Sequence, residues 1–422
     1  MHITIVCVGS RGDAQPFVAL GMGLRAAGHD VRVATHSIFE SFVREHGLDF
    51  AAIEPNPVEL LNSELGQQWI GSGSNPIRFV RGIFDIAAQV LEQLAADIER
   101  ACQNTDAIVF STFGILAYHV AEKLNIPAFS AELQPTHPTS AFPAIVAPRL
   151  PLSGIYNRAS HALMRQTTWQ MSRRAINRWR VESLGLPPIG LRGPYASANS
   201  RAHTMPVLFG YSPSVVPRPP DWPSWVHVCG YWFLNEGEGW HPPADLQAFL
   251  EAGPPPVYIG FGSMALQGHD PQRLILDALA QTGQRGLLLR GWGGLSGAVL
   301  PDNAFAIDAA PHDWLFPRMA AVVHHGGAGT TAAGLRAGKP TIICPFFADQ
   351  PFWGQRVYEL GGGPRPISQK RLTADNLAAA IRMTTSDENM KARASALGEH
   401  IRAEYGVANA VNAIESYMKT GD

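Results

Sequence analysis

The sequence predicts an α/β protein built from two doubly wound domains, each with a parallel sheet covered by helices. Short continuous apolar runs, typical of buried parallel strands, alternate with segments of helical pattern. This alternation occurs twice, before and after a proline-rich stretch at about 212–256. The 422 residues are too many for one core, and 46% of them are hydrophobic, which excludes a disordered chain. We expect the domains to face each other across a cleft, with ligands at the carboxyl edges of their strands.

The first half begins with the apolar run ITIVCV, followed by the turn GSRGD at 9–13 and a helix that we expect Pro16 to open. Ser37 and Glu40 have capping-box spacing at the start of a second helix. The predicted strands lie at 3–8, 30–35, 48–53, 106–111 and 127–132, and a further helix at 115–124. Two insertions with long helices interrupt the alternation: 54–102 and 133–201. Insertions of this kind often form a substrate cleft.

The second half repeats the alternation of strands and helices. The predicted elements are, in order, a strand at 256–261, a helix at 271–282, strands at 285–291, 303–308, 320–323 and 341–344, and helices at 373–383 and 387–417. We expect a division into an N-terminal acceptor domain at 1–215, a linker at 216–245, a second domain at 246–390 and a final helix at 391–422 that crosses back to the first domain.

Composition narrows the possible functions. The net charge of −2 gives no support to nucleic-acid binding by the whole chain. The four cysteines are scattered without a CxxC pair, so we expect small buried side chains rather than a disulfide framework or a zinc site. Met1 leads directly into an apolar run, and no window of about 18 apolar residues occurs. We therefore expect a cytoplasmic protein without a signal peptide or transmembrane helix.

The most informative part of the sequence runs from His324 to Gly354: HHGGAGTTAAGLRAGKPTIICPFFADQPFWG. Its pattern is that of a strand end, a glycine-rich turn, a helix that stops at Gly338 and a second strand after Pro340. At the start of such a helix, free backbone N–H groups and the positive end of the helix dipole favour a diphosphate. The motif ADQ follows the second strand, at the edge where open parallel sheets bind ligands. This combination predicts a nucleotide-sugar site.

Several motifs together resemble those of the GT-B nucleotide-sugar glycosyltransferases, within the branch of the sterol glucosyltransferases and the antibiotic (glycopeptide and macrolide) glycosyltransferases. These motifs are GSRGD with QPFVALG, DWP and GYW at 221–232, IGFGSM at 259–264, RGWGGL at 290–295, PHDWLFPR at 311–318 and the segment 324–354. The resemblance implies two Rossmann-like domains and no bound cofactor. It also implies a UDP-sugar co-substrate, with UDP-glucose expected, and transfer of the hexose to a hydroxyl of a hydrophobic acceptor such as a sterol or terpenoid.

The resemblance also assigns roles within the segment 324–354. His325 matches the family's diphosphate-binding histidine, whereas packing and function are both open for His324. The same phosphates would be bound by backbone N–H groups and one hydroxyl, from Gly327, Ala328, Gly329 and Thr330. Asp349 and Gln350 match the pair that hydrogen-bonds sugar hydroxyls, since a carboxylate accepts from hydroxyls and an amide both donates and accepts. The alternative role of Asp349 is to cap the following helix.

Further contacts with the nucleotide are expected from the same domain. Ser263 is expected at the phosphates, and Trp292 and the backbone from Ala310 to His312 are expected at the base. The plant secondary-metabolite relatives have a base-stacking Trp where this chain has Ala309, and a ribose-binding Glu where it has Ala333. These departures leave the choice between uridine and thymidine open.

Asp13 follows the first predicted strand, at the edge of the sheet where ligands bind. In the resembling branch the Asp of GSRGD deprotonates the acceptor, so Asp13 is our candidate base, although a carboxylate needs desolvation for this role at neutral pH. Its alternative role is a helix cap beside Arg11. His137 is an alternative base or an aid to the base, because histidine titrates near neutrality. A base and in-line attack on an α-linked donor predict inversion and a β-glycoside.

Transfer also requires that the charge of the leaving diphosphate be stabilised. The sequence has no DxD-like carboxylate pair at a strand end, so we expect the helix N-terminus to stabilise the leaving diphosphate without a metal ion. The alternatives are a dTDP- or UDP-sugar transferase acting on a polyketide, macrolide or glycopeptide aglycone, a nucleotide-sugar epimerase, and a non-catalytic sugar-nucleotide binder. The turn GSRGD lacks GxGxxG spacing, which disfavours a dinucleotide oxidoreductase.

The segment Arg158–Arg180 carries six arginines and two tryptophans. One interpretation is peripheral contact with anionic lipid at the inner face of a membrane, and the other is a solvated helix face. The first insertion contains a group of apolar residues: Trp69, Phe79, Phe84 and Leu91. They either line an acceptor pocket or belong to the ordinary core. We expect a monomer or a homodimer.

Overall fold

The computed structural model of the protein describes residues 1–54, 76–194, 205–261, 271–290 and 300–420. The side chains of 76–81, 83–89, 271 and 420 lie outside this description. The chain divides into two domains. The first comprises Met1–Leu234 together with Tyr405–Asp422, and the second comprises Asn235–Glu404.

The first domain contains a seven-stranded parallel sheet with the order β3-β2-β1-β4-β5-β6-β7. The strands are β1 His2–Val6, β2 Asp30–His36, β3 Asp49–Ile53, β4 Ala107–Phe110, β5 Ala128–Glu132, β6 Val207–Phe209 and β7 Val226–Val228. The predicted buried strands of the first half are therefore confirmed. Because β1 and β4 are neighbours from which the strand order runs outward in both directions, the loop after β1 lies at the topological switch point.

Helices cover this sheet. They are α1 Arg11–Ala26, α2 Glu40–Glu45, α3 Pro76–Ala101, α4 Leu116–Leu124 and α5 Gly154–Trp179. The apolar positions of the helices and strands meet in shared cores, where α1 packs between the sheet and the last helix of the chain. Leu91 of α3 packs against the core on α4, which supports core packing for this residue. Trp69 lies outside the described residues, as do the side chains of Phe79 and Phe84.

The second domain contains a five-stranded parallel sheet with the order β10-β9-β8-β11-β12. Its strands are β8 Val257–Gly260, β9 Gly286–Leu289, β10 Ala304–Ile307, β11 Ala321–His324 and β12 Thr341–Ile343. The helices are α6 Ala244–Glu251, α7 Pro271–Thr282, α8 His312–Leu315, α9 Ala328–Arg336, α10 Gln350–Glu359, α11 Ala374–Ser386 and α12 Glu388–Arg402. The switch point of this sheet lies between β8 and β11. Two doubly wound parallel-sheet domains are therefore confirmed.

Some predicted boundaries were wrong. The first helix begins at Arg11 rather than at Pro16, because the Asp13 carboxylate accepts the backbone N–H of Ser10 at 2.8 Å and fixes an earlier start. Ser37 makes no side-chain cap to the second helix and begins a 3-10 turn instead. The region that we expected to be a linker, 216–245, contains β7, because this short strand extends the first sheet beyond β6.

The predicted single helix at 387–417 is two helices. α12 ends at Arg402, and α13 spans Gly406–Thr420 and belongs to the first domain. A side chain at position 406 would collide with the backbone of Gly230 and Tyr231, so glycine permits the close approach at which α13 begins. α13 then packs against α1.

The helix α5 differs from an interfacial helix with lipid-facing tryptophan. Trp169 is buried and donates its indole N–H to the Gly190 carbonyl at 2.9 Å. The Arg180 guanidinium, which follows α5, is also buried and bonds both carboxylate oxygens of Glu122, at 2.7 and 3.0 Å. Arg158 donates to Asp221. Trp169 and Arg180 therefore stabilise the first domain instead of facing solvent, whereas the Arg158 side chain is 64% exposed.

All four cysteines are buried and free, as expected, and burial raises the pKa of each thiol to about 12. They are Cys7, Cys102, Cys229 and Cys344. Thiols with such a pKa remain protonated and unreactive at neutral pH. In the described ranges, none of the helices has the length and apolar character needed to cross a membrane.

Candidate active site

The turn that follows β11, here called the β11 turn (His325–Thr330), lies at the switch point of the second sheet. Gly327 occupies the N-cap position of α9, and within the described structure no side chain caps this helix. The first N–H groups of a helix have no intrahelical acceptor. The N–H groups of Ala328, Gly329 and Thr330 can therefore bind an anion, which the helix dipole also favours.

His324 is fully buried at the end of β11, and its Nδ1 accepts the backbone N–H of Gly326 at 2.9 Å. The proton of the neutral ring is therefore on Nε2. Burial, together with His325 and His312, keeps the pKa of His324 well below its ordinary value, so the ring is uncharged at neutral pH. Of the two interpretations of His324, the structure supports packing, since the ring holds the β11 turn in place.

His325 lies within the β11 turn itself. Its Nδ1 is buried without a hydrogen-bond partner among the described residues. Its Nε2 lies so close to Gly327 that a Cβ there would be 2.7 Å away. Burial lowers the pKa of His325 to about 4, so the free ring is neutral. A neutral imidazole can donate one N–H to a phosphate oxygen, and an approaching anion favours the charged form.

Two glycines of the β11 turn have opposite surroundings. Gly326 has φ +94°, and a Cβ there would lie 2.6 Å from Cγ2 of Ile343 and 3.2 Å from the Gln350 carbonyl. Glycine is therefore needed at this position for both backbone conformation and space. Gly329 is exposed, and a Cβ there would meet nothing within 4 Å. The helix N-terminus thus opens onto space at Gly329.

Asp349 and Gln350 lie between β12 and α10. Asp349 occupies the N-cap position of α10 but makes no capping bond, and its Oδ2 accepts the indole N–H of Trp353 at 2.8 Å. The alternative role as a side-chain cap is therefore not adopted. Gln350 is buried, and its Oε1 accepts the N–H groups of Phe346 and Phe347 at 2.8 and 3.2 Å. Its amide nitrogen is the other end of this side chain and can donate hydrogen bonds to a ligand.

Ala348 has φ +56°, in the left-handed region that non-glycine residues rarely adopt. Such strain persists where the surrounding structure imposes it, and it is common at ligand sites. Here the bonds of Gln350 to the preceding backbone hold the loop on one side, and α10 begins on the other. The strained residue therefore sets the direction in which Asp349 follows β12.

The residues expected near the base lie beside α8. The His312 ring stacks on Phe316 with centroids 4.3 Å apart and meets Tyr258 edge-on at 6.2 Å. Ala310 and Ala333 are half-buried in the same cluster, so both positions are apolar. Ser263 and Trp292 lie outside the described residues.

In the first domain, Asp13 lies in the first turn of α1, directly after the turn that follows β1, here called the β1 turn (Val8–Ser10). Its Oδ2 accepts the backbone N–H of Ser10 at 2.8 Å and the Ser10 hydroxyl at 2.9 Å. The capping role suggested as an alternative is therefore present. It does not exclude a second role, because a carboxylate has two oxygens and about four acceptor positions. The Arg11 guanidinium lies over the Phe42 ring, 4.7 Å from its centroid.

His137 lies in a different cluster of the first domain. It meets Trp222 and Trp225 edge-on, with centroids 5.8 and 5.1 Å apart. Burial, with the charges of Arg165 and His161, lowers the pKa of His137 to about 4, against the opposing effect of Asp221. A ring with this pKa is a weak base at neutral pH. Among the described residues, Asp13 and His137 are not joined by a hydrogen bond.

Sequence reasoning missed two side chains at the same edge of the first sheet. His36, the last residue of β2, accepts the backbone N–H of Gly9 in the β1 turn at 3.1 Å. Glu132, the last residue of β5, accepts bonds from the hydroxyls of Ser130 and Thr136, and burial still raises its pKa. Their positions as polar residues ending buried strands were the available signal.

In the described parts of the chain, no three or more His, Cys, Asp or Glu residues form a group that could hold a metal ion. Asp221 of the motif DWP binds backbone and hydroxyls instead: it accepts from Thr139 at 2.6 Å and from the Ser140 N–H at 2.8 Å. Burial raises the pKa of Asp221, but these bonds and that from Arg158 together hold it below its ordinary value. The motif thus fixes the loop after β5.

The chain is similar to known proteins along its whole length. Residues 3–143 match the glycosyltransferase family 28 N-terminal domain, and residues 294–416 match the C-terminal domain of erythromycin biosynthesis protein CIII-like proteins. It is 39% identical to a sterol 3-beta-glucosyltransferase of Aspergillus clavatus over 98% of this chain and 29% of that protein. It is 40% identical to one of Aspergillus fumigatus over 100% of this chain and 30% of that protein. The chain thus spans about three tenths of these curated relatives.

Solved structures show the same architecture. The glycotransferase of kitacinnamycin superposes with a TM-score of 0.73 at 21% identity, covering 98% of both chains. The calicheamicin glycosyltransferase CalG4 gives 0.69 at 19% identity, covering 99% of this chain and 98% of that one. At these identities the likeness concerns the fold. The chain thus matches a glycosyltransferase family 28 N-terminal domain and a CIII-like C-terminal domain, and it has the two-domain GT-B fold of the solved glycosyltransferases.

Proposed function

We propose that this chain transfers glucose from UDP-glucose to a sterol hydroxyl with inversion, giving a β-glucoside. The observation that carries the proposal is the identity of 38–40%, over nearly the whole chain, to proteins named sterol 3-beta-glucosyltransferase. The match to a CIII-like C-terminal domain concerns residues 294–416 only and is compatible with either acceptor class. A sterol acceptor is therefore favoured over a polyketide, macrolide or glycopeptide aglycone.

The donor is held by the second domain in this proposal. The open N-terminus of α9 and the neutral His325 ring supply hydrogen-bond donors and a positive dipole for the diphosphate. Asp349 and the amide nitrogen of Gln350 bind the sugar hydroxyls. Stabilisation of the leaving diphosphate comes from these fixed donors, which need no reorganisation during the reaction.

The first domain supplies the base. Asp13 lies at the switch point of its sheet and is held by Ser10, so the acceptor hydroxyl would donate its proton to the carboxylate as its oxygen attacks the anomeric carbon. One displacement on an α-linked donor inverts the configuration. His137 is the weaker candidate because burial lowers its pKa to about 4.

The test is a transfer screen with UDP- and dTDP-sugars against sterols and polyketide aglycones. We expect UDP-glucose with a sterol to be the best pair, and preference for a dTDP-sugar with an aglycone would redirect the proposal to the antibiotic branch. Activity should also survive excess EDTA. Loss of activity that added divalent metal restores would overturn the metal-independent mechanism.

The choice of base can be tested with two matched variants. Asp13→Asn removes the proton acceptor, so kcat should fall by at least about 100-fold, the lower end of general-base effects, while UDP affinity stays unchanged. His137→Gln should keep kcat within a few-fold. The reverse pattern would identify His137 as the base.

Contact with a lipid surface through the segment Arg158–Arg180 is also part of the proposal. The buried Trp169 and Arg180 take no part in it. Its support is a set of exposed apolar side chains beside exposed arginines on α5: Leu163, within this segment, is 70% exposed, and Ile155, just before it on the same helix, is 81% exposed. Charge-dependent binding is expected from such a surface. Ile155→Ser with Leu163→Ser should reduce sedimentation with anionic vesicles, and unchanged sedimentation would remove this contact.

A further inference from the structure

The β1 turn is held by side chains from three different elements. The backbone N–H of Val8 is directed to the Ser111 hydroxyl after β4 at 3.3 Å, and that of Gly9 to Nε2 of His36 at 3.1 Å. The backbone N–H of Ser10 donates to the Asp13 carboxylate at 2.8 Å. Three successive donors are thus satisfied within the protein. This turn therefore differs from the β11 turn, whose helix N-terminus is left open to an anion.

His36 is the central member of this set. The residue is 3% exposed, and its Nδ1 lies 3.1 Å from the carbonyl oxygen of Ile53, the last residue of β3. A carbonyl can only accept and a backbone N–H can only donate, so Nδ1 must carry the proton and Nε2 must be bare. The ring therefore joins the ends of β2 and β3 to the β1 turn through a single neutral tautomer.

The position of Gly9 determines where the Asp13 carboxylate can lie. Gly9 has φ +142°, and a Cβ there would collide with the Asp13 side chain. The carboxylate thus occupies space that the missing side chain leaves, and it is bonded to the next residue, Ser10. A shift of Gly9 would therefore displace both the backbone under Asp13 and the carboxylate itself.

We propose that His36 is a positioning residue, which holds the β1 turn and thereby keeps the Asp13 carboxylate aligned with the acceptor hydroxyl. This inference rests on the proposed role of Asp13 as base. A displacement of about 1 Å can reduce a rate by about 100-fold, so loss of one bond to the turn has a measurable effect on kcat. His36 has no contact with the donor in this scheme, so donor affinity is independent of it.

Two substitutions separate the two bonds of the ring. In His36→Asn the side-chain amide reaches the Ile53 carbonyl, in the place of Nδ1, but nothing replaces Nε2. In His36→Gln the longer side chain places an oxygen near Nε2, so the Gly9 N–H keeps an acceptor. Thr105→Val is the structural control, because the buried Thr105 hydroxyl bonds the carbonyls of His2 and Ala107 at the opposite end of the strands.

We expect His36→Asn to lower kcat at least tenfold at saturating donor and acceptor, with unchanged UDP affinity. His36→Gln should stay within about threefold of the parent, and Thr105→Val should lose stability without loss of kcat. Hydrogen exchange of the peptide 8–13 should accelerate in His36→Asn and remain near the parental rate in His36→Gln.

The outcomes distinguish this inference from the proposed function. Unchanged exchange at 8–13 in His36→Asn would show that the ring does not hold the turn, whatever reaction the protein performs. Faster exchange with unchanged kcat would overturn the positioning role, as would equal losses of kcat in the Asn and Gln variants. If Asp13→Asn is itself fully active, the proposed base is wrong, and the positioning role falls with it even where the exchange result stands.

Discussion

Replacing Gly326 by Ala tests the structure of the β11 turn. An L-residue at the observed φ of +94° costs about 1–2 kcal/mol by analogy with other left-handed positions. The new methyl would lie 2.6 Å from the buried Ile343 side chain, and overpacking of this kind costs about 1–3 kcal/mol. We therefore expect a loss of about 2–5 kcal/mol in the stability of the second domain.

The matched control is Gly329→Ala, three residues further along. Because a Cβ there meets nothing within 4 Å, we expect its stability to stay within about 1 kcal/mol of the parent. Hydrogen exchange of 320–345 reports the local loss, since a two-domain chain need not unfold in one step. A Gly326→Ala protein as stable as the control would refute the described turn.

The same Gly326→Ala variant tests whether the β11 turn binds the donor, provided that binding is measured under conditions in which the variant remains folded. In the proposed function the N–H groups of this turn bind the diphosphate, so a displaced turn would misalign them; one charge-assisted hydrogen bond contributes about 1.5–3 kcal/mol. UDP affinity, measured by calorimetry, should therefore fall at least tenfold. Parental affinity in the folded variant would separate the turn from the diphosphate site.

Three further predictions concern strain and charge. Ala348→Gly removes the positive-φ strain and should raise the stability of the second domain by about 0.5–1 kcal/mol, measured by thermal unfolding. The pKa of Asp221 in the folded protein lies below its unfolded value of about 3.9. The stabilising effect of this carboxylate is therefore full above that pH and is lost as the pH falls through the folded pKa. The difference in stability between the parent and Asp221→Asn should be constant from pH 7 to 5 and shrink below about pH 4. Diphosphate binding should raise the pKa of His325 from about 4, so affinity for UDP-glucose should increase from pH 8 to 5 in the parent and remain flat in His325→Asn.

The strands and the β11 turn could be predicted because their signals are local. Apolar runs mark buried parallel strands, and a glycine cluster between a strand and a helix marks an open helix N-terminus. The roles of other residues depend on distant partners that a pattern does not reveal. His36 bonds a turn 27 residues away in sequence. The sequence suggests a lipid-facing role for Trp169, whereas the structure shows its indole N–H bonded to the Gly190 carbonyl.

The same limit applies to the predicted site residues. No pattern in the sequence indicates that the side-chain carbonyl of Gln350 accepts the backbone N–H groups of Phe346 and Phe347. The same is true of the bond in which His324 accepts the N–H of Gly326. These bonds arise within short loops whose conformation depends on the surrounding core. The start of α1 at Arg11 was missed for a related reason, because the Ser10–Asp13 bonds outweigh the tendency of Pro16 to open a helix.

The most direct test of the central claim is the anomeric configuration of the product formed from UDP-glucose and a sterol, determined by NMR. We expect a sterol β-glucoside, formed by a single inverting displacement that requires Asp13 and His325. An α-glucoside, or no sterol glucoside from a protein that transfers another sugar to another acceptor, would contradict it.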